Sequence, residues 1–182
     1  IDPNVAAANI ILGLQSIASR NVDPLEASVV SVCALHSDVD THNIIPQTTR
    51  MTGTVRALKP EIRDQVEARV IKIATATAEA YDCVADVEYR LGYPVTINDD
   101  AHTEYAAAAA RAVAGDVITD MPPIMAAEDF SFMLIERPGA YIMLGNGVGA
   151  TLHHPEYRFD DDAIPAGCSW FVEVIEQRMP AQ

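Results

Sequence analysis

The order in which helix-like and strand-like segments follow one another is the feature of this sequence that most limits its fold. A helix is predicted from Asp2 to about Arg20, because an aspartate followed by proline favours a helix start and apolar residues dominate the stretch. Two valine- and threonine-rich segments, at 28–35 and 48–58, have the length and alternation of strands.

A second helix and a third strand complete this first half. Pro60 begins the helix, and Ile62, Val66, Val70 and Ile73 lie four, four and three positions apart on one face. The third strand is predicted at 84–91. The order helix, strand, strand, helix, strand matches a split β-α-β-β-α-β sandwich without its first strand, so an edge strand or a neighbouring chain is needed beside the sheet.

The second half begins near Pro94, where we place a domain boundary. Residues 98–100 cap an alanine-rich helix that should end near Gly115. A buried strand is predicted at 140–144, followed by a glycine-rich loop. The last helix begins around Asp162, and its predicted apolar face consists of Ile164, Cys168, Phe171, Ile175 and Met179.

The charge and apolar patterning exclude two classes of partner. The net charge of −14 repels phosphate backbones and anionic lipids, so neither a nucleic acid nor a membrane is expected. The three cysteines, Cys33, Cys83 and Cys168, are an odd number and form no CxxC pair, which predicts buried free thiols in a reducing cytosol. The expected location is therefore cytoplasmic.

Candidate chemistry concentrates where the predicted strand 140–144 leads into two histidines followed by Pro155. Sheets of α/β proteins present reactive groups at strand ends, so one imidazole there, with Glu128, Asp129 and the acids at 160–162, can serve a divalent metal. The alternative is an exposed loop histidine with carboxylates that cap a helix. Spacing alone favours that alternative.

Several motifs resemble one known family and occur along the chain in one order. They are an Ala-Glu-Asp-Phe segment, a Leu-His-His-Pro segment and a lid segment with an asparagine before Ile-Ile-Pro, at residues 126–132, 152–161 and 42–56. The runs at 19–24 and 92–94 agree as well. The chain resembles the metal-dependent amidohydrolases that include hippurate hydrolases, N-acyl-amino-acid amidohydrolases and auxin-conjugate hydrolases.

The resemblance implies a fold of class α/β and α+β. Residues 1–94 would form a lid and dimerisation domain of split β-α-β-β-α-β type that lacks its first strand. Residues 95–182 would form the C-terminal part of a zinc-peptidase-like α/β catalytic domain. The resemblance thus agrees with the element order read from the residues alone.

The resemblance also assigns site residues. The Leu-His-x-Pro motif places a metal ligand on His153, and the lid positions Asn43 and Arg56 would hold the carboxylate of the substrate. Glu128 would lie beside the substrate, although Ala127 replaces the glycine usual in that motif. The structural alternatives are a turn residue for Asn43, an acid-paired surface arginine for Arg56 and a helix-capping acid for Glu128.

The implied activity is hydrolysis of the amide bond of N-acyl amino acids, including hippurate-like substrates, by a homodimer. It needs two divalent metal ions, Zn or Mn, whereas this chain offers one ligand and no Glu-Glu pair. We therefore expect the general-base glutamate outside this chain, and expect the chain to be an incomplete C-terminal part that is inactive alone. The rival interpretation is a non-catalytic α+β dimerisation or binding module.

Overall fold

The chain divides into two compact units, one spanning Ile1–Val95 and the other beginning at Thr96. A computed structural model describes residues 1–179 of the chain. The division falls one residue beyond the position suggested by the change in sequence texture near Pro94. Each unit is considered by itself below.

The first unit opens with the predicted helix, here α1, Pro3–Ser16. The Asp2 carboxylate accepts a hydrogen bond from the Asn4 amide at 2.9 Å and so caps the helix. The last predicted turn widens into a π-helical turn at Ile17–Asn21. Side chains of the next helix stabilise this turn, because Gln65 Nε2 donates to the Asn21 carbonyl at 2.6 Å and Arg69 Nε to the Asn21 Oδ1 at 3.0 Å.

Both predicted strands of the hairpin are confirmed. Strand β1, Ser28–Ser37, pairs antiparallel with β2, Thr49–Ala57, from Ser28 opposite Ala57 to Ser37 opposite Thr49. The register shifts between Val32 and Ala34, so Cys33 is the extra residue of a bulge. Gly53 lies opposite Val32, and a Cβ at this position would lie 2.3 Å from the Ser31 carbonyl oxygen.

The second predicted helix is also confirmed, as α2, Pro60–Ala80. It buries Ile62 and Val66 against α1, with Val66 fully inaccessible to solvent. Apolar residues of both helices and of the inner face of the hairpin complete a continuous core. The buried members of this core are Ile10, Leu14, Ile17, Val22, Ile62, Val66, Ala74 and Ala78.

The predicted third strand at 84–91 is wrong as a paired strand, although its side chains alternate as a strand's do. Cys83, Ala85, Val87 and Tyr89 are half-buried, whereas the residues between them are exposed. Within residues 1–179 the sheet contains only β1 and β2. A strand requires a partner for its backbone groups, and no described segment supplies one here.

The second unit is helical in its described part. Helix α3, Asp100–Ala114, has the predicted cap at Asp99 and ends at Gly115, which adopts φ +79°. Helix α4 is Phe130–Glu136, and α5, Ile164–Arg178, follows a short 3-10 turn at Asp161–Ala163. The Trp170 indole donates to the Ala106 carbonyl at 3.0 Å and so joins α5 to α3.

One prediction for the second unit is wrong, and the surroundings of another element differ from a buried helix face. Residues 140–144 form no strand; instead the Asn98 amide binds both backbone groups of Tyr141, accepting from its N–H at 2.8 Å and donating to its carbonyl at 2.9 Å. The predicted apolar face of α5 exists, but it is exposed, with Phe171 and Ile175 accessible to 64% and 57%. Within residues 1–179 no apolar surface covers this face.

The three cysteines are free, as predicted, but they are not all buried. Cys83 is half-buried, whereas Cys33 and Cys168 are exposed. Cys33 is exposed because it is the extra residue of the bulge, and Cys168 because it lies on the uncovered face of α5.

The helices within residues 1–179 include none with both the length and the apolar content that crossing a bilayer requires.

Candidate functional site

Arg56 lies on β2 of the first unit, opposite Val29. Its residue is half-buried, and within residues 1–179 its guanidinium forms no ion pair. The acid-paired surface arginine considered above is therefore not what the structure shows. A half-buried guanidinium without a carboxylate keeps its donor fork available for a planar anion.

Asn43 lies in the loop between β1 and β2 and is exposed. Its Oδ1 accepts a hydrogen bond from the Thr41 hydroxyl at 2.9 Å. The base of the loop is closed by Asp38, whose carboxylate accepts from the amides of Gln47 and Thr48 at 3.1 and 3.0 Å. Sequence reasoning missed Asp38; its position directly after β1 was the available signal.

The hairpin register separates the two lid candidates. Thr49 marks the loop end of β2, and Arg56 lies seven residues further, near the other end. Seven strand residues span roughly 23 Å. The hairpin register alone therefore does not bring Asn43 and Arg56 together.

His153 lies in the long loop of the second unit, between α4 and α5. Its backbone has φ +68°, which is uncommon for a residue other than glycine, and its side chain is exposed. The neighbouring His154 is engaged, because its Nδ1 accepts a hydrogen bond from the Glu156 amide at 3.1 Å. The two histidines thus differ as expected if only the first is free to coordinate a ligand.

Asn146 fixes this loop and was missed by the sequence analysis. Its Nδ2 donates to the Arg158 carbonyl and its Oδ1 accepts from the Asp160 amide, both at 2.7 Å. The flanking Gly147 has φ +75°, a conformation that glycine adopts without strain. The Gly-Asn-Gly sequence is a turn signal, but the partners across the loop are not local and could not be read from it.

The described residues do not form a complete metal site. Within residues 1–179 no group of three or more His, Cys, Asp and Glu side chains is arranged to hold a metal ion. Asp160 has a structural role instead, since its Oδ1 accepts from the Asp162 amide at 3.0 Å and caps the turn before α5. A single imidazole is too few donors for a catalytic zinc, which takes about three protein ligands.

Glu128 lies just before α4 and is half-buried. Burial is the largest cause that raises the pKa of the Tyr141 phenol above its ordinary value of 10.0. The negative charge of Glu128 raises this pKa further, as does the hydrogen bond that the Tyr141 hydroxyl donates to Glu128. The Tyr141 ring also packs on Phe130, with centroids 5.7 Å apart. The adjacent Asp129 occupies the cap position of α4 without capping it through its side chain.

Three further histidines, His36, His42 and His102, lie outside the candidate set. His36 and His42 are exposed. His102 lies on α3, where its Nδ1 is 2.7 Å from the Asp99 Oδ1. That hydrogen bond, together with the bond from the His102 amide, holds the pKa of the Asp99 carboxyl below its ordinary value of 3.8.

A shallow groove of about 340 Å³ lies along α2 and is lined by Arg69, Lys72, Ile73, Ala76, Thr77 and Ala80. It contains none of the four candidates. The candidates therefore lie on a strand and on loops, outside this groove.

The two units together define a mixed α/β protein whose polar candidates stand on a hairpin and on long loops. The sequence model of peptidase family M20/M25/M40 matches residues 8–177 of this chain, and the chain belongs to this family. This confirms the relationship that the motifs indicated.

Curated relatives of this family are identical to the chain at about a third of the aligned positions. It is 35% identical to the N-acetyl-L-cysteine deacetylase of Bacillus subtilis, a match over 90% of this chain and 39% of the relative. It is 34% identical to the hippurate hydrolase of Campylobacter jejuni, over 95% and 45% respectively. The chain thus spans less than half the length of these relatives.

A solved structure agrees with the fold. The chain superposes with a TM-score of 0.74 and 28% identity on a Bacillus subtilis protein described as a dinuclear metal binding peptidase from the M20 family. The match covers 96% of this chain and 45% of that one.

Proposed function

We propose that this chain is part of an M20 hydrolase that cleaves the amide bond of N-acyl amino acids. Within that enzyme the chain would recognise the substrate and supply one metal ligand. The observation that carries the proposal is the family match over residues 8–177, since the matched relatives are named as a deacetylase and a hydrolase of N-acylated amino acids. The substrate class includes hippurate-like compounds. The chain would be an incomplete, C-terminal part of the active enzyme, because the described residues alone form no metal site.

His153 is proposed to supply one ligand to a centre of two divalent ions, zinc or manganese. An exposed imidazole on a strained, clamped loop supports this assignment, because uncommon backbone conformations persist where the surrounding structure enforces them and are often functional. The other ligands and the general-base glutamate would lie outside residues 1–179. When bound, the metal ions would supply electrophilic and water-activating chemistry.

Arg56 is proposed to bind the carboxylate of the amino-acid product or substrate. The support is its half-buried guanidinium without an acidic partner. Asn43 would add a neutral donor from the loop, and Glu128 would contact the substrate. Residues 1–94 would act as the lid and dimerisation domain, and residues 95–182 as part of the catalytic domain.

A homodimer in the cytoplasm is proposed as well. The outer edge of β1 has no partner within residues 1–179, and an unpaired sheet edge favours pairing with another chain. Three free cysteines suit a reducing compartment.

The test is amino-acid release from hippurate and N-acetyl-L-cysteine by the protein as its source organism makes it, with Arg56→Lys beside it. We expect hydrolysis by the unchanged protein. The variant should raise KM about 10-fold or more with a smaller change in kcat, because lysine cannot reproduce a bidentate contact. Failure to hydrolyse any N-acyl amino acid in the presence of Zn²⁺ or Mn²⁺ would support the non-catalytic binding module instead.

A further inference from the structure

Tyr141 lies in the loop that follows α4, and hydrogen bonds from a distant part of the chain hold its backbone. The side-chain amide of Asn98 accepts from the Tyr141 N–H at 2.8 Å and donates to the Tyr141 carbonyl at 2.9 Å. Two positions earlier, the Gly139 carbonyl accepts from the Asp99 amide at 2.9 Å. These three hydrogen bonds attach residues 139–141 to the start of α3, so the backbone from which the Tyr141 ring extends is fixed.

The ring of Tyr141 is restrained as well. It packs against the ring of Phe130 on α4, with centroids 5.7 Å apart and planes inclined by 43°. The Tyr141 hydroxyl donates a hydrogen bond to the carboxylate of Glu128, which lies two residues before Phe130. A tyrosine has only two side-chain torsions, so fixing its backbone and its ring also fixes the position of its hydroxyl.

The backbone of Glu128 is held separately from its side chain. The Glu128 carbonyl accepts hydrogen bonds from the Ser131 hydroxyl at 2.6 Å and from the Ser131 amide at 3.2 Å. Ser131 is fully buried, so this attachment belongs to the interior of the second unit. A glutamate side chain that is held in advance loses less conformational freedom when a ligand binds to it, and the Tyr141 hydroxyl provides such a hold.

The carboxylate of Glu128 has further capacity to accept hydrogen bonds. An ionised carboxylate offers about four acceptor positions and no donor. Within residues 1–179, Glu128 forms no ion pair with a basic side chain. A ligand group that binds to this half-buried carboxylate must therefore be a hydrogen-bond donor.

The proposed substrates share one such donor. The α-carboxylate and the acyl carbonyl of an N-acyl amino acid only accept hydrogen bonds, whereas the amide N–H donates. Some amino-acid side chains add further donors. The amide N–H is the donor that N-acyl amino acids other than N-acylprolines have in common.

We propose that Tyr141 is a positioning residue, whose hydroxyl orients the Glu128 carboxylate to accept a hydrogen bond from the amide N–H of the substrate. Asn98 acts one step further back, because it fixes the backbone of Tyr141. The proposal rests on the proposed function and adds to it the substrate atom that Glu128 contacts. Tyr141 acts through Glu128 and needs no contact of its own with the substrate.

The test uses the natural protein and hippurate, with Tyr141→Phe as the main variant. Phenylalanine keeps the ring contact with Phe130 and the backbone bonds to Asn98, and it removes only the hydroxyl. We expect KM to rise about tenfold with a smaller change in kcat, because the carboxylate loses the hydrogen bond that orients it. Partial unfolding would instead lower kcat at an unchanged KM, which would overturn the positioning role.

Tyr105→Phe is the matched control in the same unit. It removes a hydroxyl from α3, where the ring lies 3.7 Å from the Arg178 guanidinium and keeps this contact without the hydroxyl. Its KM and kcat should stay within about twofold of those of the unchanged protein. An equal rise of KM in Tyr105→Phe and Tyr141→Phe would count against a role specific to Tyr141.

A double-mutant cycle with Glu128→Ala separates action through Glu128 from an independent structural role. If Tyr141 acts through Glu128, then Tyr141→Phe should change KM by less than about twofold once Glu128 is alanine. A rise of about tenfold in both backgrounds would show that the two residues act independently and would overturn the proposal.

N-methylhippurate lacks the amide N–H and tests which substrate atom is involved. As a competitive inhibitor of hippurate hydrolysis, it should have the same inhibition constant, within about twofold, for the unchanged protein and for Tyr141→Phe. Inhibition that is about tenfold weaker in Tyr141→Phe would assign Glu128 to another substrate group, against the proposal.

Failure of this proposal can be told apart from failure of the proposed function. A natural protein that hydrolyses no N-acyl amino acid would refute the proposed function itself. A natural protein that hydrolyses hippurate, with the same KM in Tyr141→Phe, would refute the positioning role alone.

Discussion

Each of the two units is stabilised internally by a different kind of contact. The first has a continuous apolar core, in which Ile17 and Val66 are fully buried. In the second, the buried residues within the described range are three alanines of α3 and Ser131, while large apolar side chains of α4 and α5 are exposed. Buried apolar area is the dominant stabilising contribution in folded proteins, so the difference predicts unequal stabilities.

In the second unit, side-chain hydrogen bonds to the backbone join segments that are far apart in the sequence. Asn98 binds the Tyr141 backbone, Asn146 closes the histidine loop and Trp170 joins α5 to α3. Each such hydrogen bond contributes only about 1 kcal/mol net. The comparison teaches that the candidate metal-ligand loop belongs to the unit with less core, so its geometry depends on polar contacts.

The largest expected effect distinguishes the two units with one substitution made in each. Ile17→Ala should lower the stability of the first unit by about 2–5 kcal/mol, because it leaves a cavity beneath α2. The matched change Ile175→Ala, at a side chain 57% exposed, should stay within about 0.5 kcal/mol. Urea denaturation, monitored by hydrogen exchange in each unit, measures the change in stability of both variants. Equal losses of stability in the two variants would contradict the difference between the units.

A smaller loss of stability is expected from a substitution in the hairpin. Gly53→Ala places a Cβ about where the Ser31 carbonyl lies, 2.3 Å away, and should destabilise the first unit by about 1–3 kcal/mol as the strands shift apart. Gly92→Ala is the control, since no heavy atom lies within 4 Å of its added Cβ. Thermal unfolding by circular dichroism measures both. A neutral Gly53→Ala would show that the bulge at Cys33 absorbs the methyl group.

The smallest effect concerns titration in the second unit. Glu128→Gln should lower the pKa of Tyr141 toward 10.0, because it removes the charge that opposes ionisation, although burial remains as the larger cause. Since the folded-state pKa is raised, this phenol contributes stability below pH 10 that is lost as the pH rises through the higher folded value. NMR of labelled tyrosine follows the titration, with Glu136→Gln on α4 as control. An unchanged Tyr141 pKa in Glu128→Gln would refute the pairing.

Sequence periodicity predicted the elements whose stabilising contacts are local. Helices α1, α2, α3 and α5 and the hairpin were correct to within a few residues, because caps, prolines and apolar spacing act within one element. The two failed strands, at 84–91 and 140–144, have strand-like composition but no partner among residues 1–179. Pairing is a non-local property that a periodicity within one segment cannot report.

For the candidate residues too, the sequence indicated local features and missed contacts between distant segments. Motif resemblance selected Asn43, Arg56, Glu128 and His153, yet it could not show that the hairpin register places Arg56 near the end of β2 away from the loop that carries Asn43. It also missed Asp38, Asn98 and Asn146, whose amide and carboxylate groups bind backbone atoms 9 to 43 positions away.

The central claim, that His153 of this M20 chain belongs to a metal centre, is tested most directly by metal content. The natural protein, purified without chelator, is compared with His153→Ala and His154→Ala by elemental mass spectrometry. The account predicts that His153→Ala loses at least one bound metal ion per subunit, whereas His154→Ala keeps the native content. Equal metal content in His153→Ala and the unchanged protein would contradict it.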